Sequence, residues 1–151
     1  MKLHHFMLFV HIAGVIVWVG GMAFAHLCLR PAALQLPPAQ RLSLWSGVLG
    51  RFFPIVWLVL GLIIGSGFAM LLETGFAHAP GAWHLMAAIG LVMGGVFASI
   101  WFGPWQALRQ SVAGENWAQG AKALNTIRQR VGINLILGVL TVALATLGLA
   151  F

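Results

Sequence analysis

Residues 52–72 read FFPIVWLVLGLIIGSGFAMLL, a run without one charged side chain. As an α-helix rising about 1.5 Å per residue, this run is about 30 Å long, the thickness of the hydrocarbon core of a bilayer. Three further runs match it in character: 6–29, 83–105 and 131–151. All ten charged residues (Lys2, Arg30, Arg41, Arg51, Glu73, Arg109, Glu115, Lys122, Arg128 and Arg130) lie outside these limits. Lipid offers nothing to bond an open backbone, so each run must be helical. The expected fold class is all-α, a four-transmembrane-helix bundle forming a single domain over 1–151.

Composition agrees. The chain is 61% hydrophobic and 7% charged, with a mean hydropathy of +0.98, whereas a soluble domain is about 45–50% apolar and about 25% charged. A soluble enzyme and a disordered tail are thereby excluded. The net charge of +6 is spread between apolar runs, not clustered on a water-exposed module, so the partner is the lipid bilayer and not nucleic acid. Cys28 stands alone, which rules out an intrachain disulfide and a thiolate-only metal cluster. Ala23-Phe24-Ala25 resembles a signal cleavage site, but the first run is too long for a signal core and is expected to be retained.

The basic residues set an expected orientation. The first connection holds Arg30, Arg41 and Arg51, and the third holds Arg109, Lys122, Arg128 and Arg130; the second has only Glu73. Positive charge stays inside, which puts connections one and three in the cytoplasm and both termini outside. Pro31, Pro37 and Pro38 are expected to break the chain after the first span, with a short helix near 39–47 leading into the second. Leu108, Val112, Ala121, Leu124 and Ile127 recur at helical spacing and predict a hairpin turning near Gly114. Gly61-xxx-Gly65, Gly90-xxx-Gly94 and Gly20-Gly21 offer surfaces for close helix approach.

Five of the six histidines then belong to the outer half: His4, His5, His11, His78 and His84. Only His26 lies near the inner end. His4 and His11 are seven residues apart, within about 20° on a helix, with Met7, Trp18 and Met22 near the same stripe. If spans one and three are neighbours, His84 faces His11. Ionisable groups in a membrane are functional candidates; imidazole with thioether suits copper, and imidazole from two facing helices suits haem iron. The competing reading keeps His4 and His5 at the headgroups, His78 in solvent, His84 at the interface, and His11 bonded to a neighbouring carbonyl. The remaining methionines read mostly as core filler, with Met7 and Met86 the two near the candidate site. No intramembrane carboxylate, Ser/His/Asp set, phosphate loop or Cys-x-x-Cys is present, so any catalysis would be that of a membrane oxidoreductase using a cofactor.

The segments 11–21 (HIAGVIVWVGG), 29–32 (LRPA) and 130–138 (RVGINLILG) resemble the copper resistance protein D (CopD) family of bacterial inner-membrane proteins. The HemJ-type protoporphyrinogen oxidases are a more distant likeness through His11, Arg30 and Trp83-His84, but they carry Lys where this chain has Met86. The resemblance implies a four-helix unit handling copper or haem at its outer side. In the copper reading His11 and His84 are core ligands, completed by His4 or His5, and further by His78 and Met7. In the haem reading His11 and His84 are axial ligands of a b-type haem that passes electrons between quinol and an external acceptor. A structural subunit without a cofactor is the third reading. A copper conduit through four short helices would require a homo-oligomer.

Overall fold

A computed structural model describes residues 2–147, and 90% of the chain is helical, with no strand among the described residues. Helix α1 (Lys2–Phe24) passes through a π-helical segment (Ala25–Leu29) into α2 (Arg30–Ala33). Then come α3 (Pro38–Thr74), α4 (Gly81–Phe102), α5 (Pro104–Ala113) and α6 (Trp117–Thr146). Four of the resulting helical stretches are long and apolar enough to cross a membrane. Outward-facing side chains such as Phe9, Ile12, Ile16, Ile133 and Ile136 are about half exposed or more, as a lipid-facing surface requires. The last expected span ran to 151; its residues 148–151 lie outside the described part.

The boundaries differ from expectation for local reasons. The chain does not break at Pro31. The Arg30 amide reaches back five residues to the Ala25 carbonyl, and the widened turn accommodates Pro31, which has no N–H to continue the ladder. The break comes at 34–37, and the expected short helix near 39–47 is the first part of α3, continuous through Pro54. Helix α3 stops at Gly75, whose amide still bonds to the Leu71 carbonyl while its φ of 84° turns the chain out of the helix. Helix α4 stops at Gly103, and the Arg130 guanidinium donates to the Ser99 carbonyl at 2.8 Å, satisfying one of its open terminal acceptors. The hairpin near Gly114 is present, with the Asn116 side chain capping α6 through the Gln119 amide.

Helix α1 lies chiefly along α3, and α4 along α6. His4, Met7, His11, Gly14, Trp18 and Gly21 alternate at three and four residues on one face of α1, the spacing of a coiled-coil seam. A Cβ at Gly14 would lie 2.7 Å from Ile63 Cγ1, and one at Gly21 would collide with the Phe52 ring. By contrast Gly20, Gly61, Gly65 and Gly90 face open space, and Gly94 makes only ordinary contact. The glycine pairs read from sequence are therefore not the packing surface, apart from Gly21. Spans one and three also turn out diagonal, meeting through large side chains such as Trp18 and Phe97, whose ring centroids are 6.4 Å apart.

The bundle is best filled at its arginine-bearing end. Leu42 and Leu108 are fully enclosed, with Leu49, Trp105, Leu124 and Ile127 nearly so, because α5 and the start of α6 pack against the start of α3.

Gly14→Ala should destabilise the bundle by about 1–3 kcal/mol through overpacking against Ile63, whereas Gly20→Ala should leave it unchanged. Thermal unfolding of the two variants in the same detergent checks the contrast.

Candidate functional site

The seam between α1 and α3 carries polar side chains at two levels. At its end His4 Nδ1 lies 3.0 Å from the Glu73 carboxylate, with the His5 ring edge-on to His4 at 6.2 Å between centroids. Seven residues further along both helices, His11 Nδ1 lies 3.0 Å from the Ile63 carbonyl and 3.2 Å from Ser66 Oγ. The two levels are about 10 Å apart along the helix axis. Antiparallel packing makes the matching steps, 4 to 11 and 73 to 66, equal.

This arrangement decides the chemistry of the rings. A carbonyl or carboxylate oxygen only accepts, so in the neutral ring Nδ1 carries the hydrogen in both His4 and His11. Nε2 is then the lone-pair nitrogen. Ser66 fits the same pattern, because its hydroxyl donates to the Leu62 carbonyl and its oxygen can accept from His11. Gly67 gives the ring room, since a Cβ there would lie 3.2 Å from His11 Cε1.

The other histidines lie elsewhere. His84, at the start of α4, bonds through Nε2 to the Phe76 carbonyl at 3.1 Å, its ring 5.9 Å from that of Phe76. His78 is exposed in the intervening turn, its backbone amide donating to the Gly75 carbonyl. Met7 is half-buried on α1 between His4 and His11. His84 is thus at the level of the α3–α4 turn, and His11 is deeper, level with Ser66 on a diagonal helix. The structure does not bring the two together, and no group of three His, Cys, Asp or Glu among the described residues is arranged to hold a metal ion.

Sequence reasoning missed several polar residues of the bundle. On sequence Glu73 is only a charge at a span end, and no motif there marks out Ser66. Asn134 lies 1% exposed inside α6, its Nδ2 donating to the Met93 carbonyl of α4 at 3.0 Å. A lone serine or asparagine within an apolar run was the available signal, since such groups must find a partner in lipid. At the opposite end, His26 lies in the π-helical segment, next to Arg30 and Arg128 around an internal cavity.

The family model described as copper resistance protein D (CopD) matches residues 46–147, about two thirds of the chain. The match covers α3 from Ser46 through α6 and includes the 130–138 segment. Helix α1, with His4, His5 and His11, precedes it. Comparison with curated proteins and with solved structures gave no significant match.

Nitrogen-15 spectroscopy of the histidine rings should find His11 protonated at Nδ1 and bare at Nε2 at neutral pH. Gly67→Val should displace those resonances, while Gly65→Val, which faces open space, should not.

Proposed function

Since this chain belongs to the copper resistance protein D family of membrane proteins, we propose that it handles copper, as cargo, through the histidines of the α1–α3 seam. The observation that supports this most is the pairing of each seam histidine with an oxygen acceptor at Nδ1. Metal-binding imidazoles characteristically donate their second ring N–H to a carboxylate or carbonyl, which orients the ring and raises the basicity of the ligating nitrogen. Here Glu73 does so for His4 and Ile63 for His11.

In this reading His4 and His5 receive the ion at the end of the bundle, and His11 takes it deeper, with the Met7 thioether between them on the same helix face. Imidazole with thioether favours copper(I) over harder ions. Because the donors are spread along the seam and do not converge on one point, the ion is held by few ligands at a time, which suits transfer more than storage. His84 and His78 contribute at the rim. Orientation follows from the basic residues, which apart from Lys2 gather at the opposite end with the α5–α6 hairpin; retention of positive charge in the cytoplasm would put the seam histidines at the periplasmic face of a bacterial inner membrane.

Copper(I) competition against a chromophoric chelator in detergent tests the site. His11→Ala should weaken binding at least tenfold and Glu73→Gln by less, with His26→Ala unchanged; equal affinity in all variants would remove the proposal. Orientation has its own check. In a Cys28→Ser background, Ala77→Cys should react with a membrane-impermeant maleimide in intact cells, and Glu115→Cys only after permeabilisation.

A further inference from the structure

At the arginine-bearing end, the last turns of α1 and the π-helical segment enclose a cavity of about 40 Å³ against α3, α4 and α6. Its walls are mainly apolar, yet they include all three residues that carry a buried side-chain nitrogen or oxygen without a partner among the described residues: Trp45 (Nε1), Asn134 (Oδ1) and Arg128 (Nε and Nη2). The space is large enough for a few waters, which would suffice for the indole and the amide. The guanidinium poses a different demand. Nε and Nη2 form one edge of its planar fork, the edge that grips two oxygens of a phosphate or carboxylate side by side.

No such oxygens come from the described residues. Arg128 stacks over the Trp45 ring at 5.7 Å and is repelled by the nearby charges of Arg30 and Arg41. The chain has two acids. Glu73 is paired with His4 at the far end, and Glu115 is exposed in the α5–α6 turn. The neighbouring arginines are differently placed: Arg130 is bonded to Ser99 on α4, and Arg109 lies over Trp105. Arg128 is therefore a cation with buried, unpaired donors among like charges, a costly state unless an anion joins it.

The fork edge itself is buried, but the Arg128 side chain as a whole is only partly so and also reaches the outside of the bundle. Arg128, Arg30 and His26 also line a groove of about 510 Å³ on the outside of the bundle, between the π-helical segment and α6. Further along, the groove runs past Gly132 to Ile133 and Ile136, which are exposed to lipid. A cationic pocket continuous with an apolar channel matches a molecule with an anionic head and an acyl tail. We infer that Arg128, Arg30 and His26 form a binding site for the phosphate group of an acidic phospholipid, whose acyl chain lies along Ile133 and Ile136. Basic pockets between transmembrane helices on the positively charged side are suited to such headgroups. The site is independent of the copper reading, and its test needs no copper.

Native mass spectrometry of delipidated protein in neutral detergent, titrated with phosphatidylglycerol, phosphatidylcholine or inorganic phosphate, tests it. Wild type and Arg109→Gln should retain one phosphatidylglycerol and discriminate against phosphatidylcholine. Arg128→Gln should bind it at least tenfold more weakly. Arg128→Lys, which keeps the charge but loses the fork, should fall between. Arg30→Gln, at an exposed position that does not endanger folding, should also weaken it. Equal binding of phosphatidylcholine, an equal loss in Arg109→Gln, or undiminished binding in both Arg128→Gln and Arg30→Gln would overturn the site. Saturation by inorganic phosphate without preference for the lipid would overturn the lipid as its source.

Discussion

Helices in a bilayer gain little from hiding apolar surface from one another, because lipid tails are as apolar as their side chains. What holds this bundle is therefore close approach and a few interhelical hydrogen bonds, and the two coincide where α1 meets α3. Gly14 lets the α1 backbone settle against Ile63, and three residues before it His11 bonds to the Ile63 carbonyl. The same two turns of α1 thus supply the packing contact and the polar contact. If α1 slid or rotated, the His11 ring would lose its acceptor and Gly14 its fit together. The register that results also sets His4 opposite Glu73, so the position of the candidate copper ligands is a consequence of how the helices pack.

On the other pair of helices, Asn134 plays a comparable part, tying α6 to the Met93 carbonyl of α4 while its side-chain oxygen borders the internal cavity. The two ends of the molecule then diverge in character. The histidine-bearing end is thinly covered, with polar pairs near the surface. The arginine-bearing end is thickened by α5 and the start of α6, which bury Leu42, Leu108 and Ile127. Its charges are handled singly: Arg130 closes the end of α4, Arg109 covers Trp105, and Arg128 is left over. The π-helical segment brings His26 to that same place, and Pro31 is the local reason for the widened turn.

Some of this was legible in the sequence and some was not. The gathering of five histidines at one end follows from the span order alone, since α1, the α3–α4 turn and the start of α4 must share an end. Which histidines meet does not follow. A 3.6-residue period says that His4 and His11 share a face, but it carries no information on which helix lies against that face. The expected approach of His84 to His11 failed because α1 and α4 are diagonal. The glycines teach the same lesson. Gly20 and Gly21 are adjacent and chemically identical, yet one faces open space and the other the Phe52 ring. Spacing motifs such as Gly61-xxx-Gly65 describe a smooth surface without saying whether anything is pressed to it.

The amino-acid sequence by itself determined that this is a four-span helical membrane protein, where its charges and histidines fall along the chain, and that a hairpin follows the third span. Each is a one-dimensional property, enforced by the thickness of a bilayer and by its refusal of open backbone. Only the tertiary structure decided that α1 pairs with α3, that Glu73 and Ile63 orient two histidines, and that Arg128 meets no carboxylate among the described residues. Those outcomes depend on the rotation and register of one helix against another. In lipid these are set by a few ångströms of side-chain fit, to which hydropathy and spacing are blind.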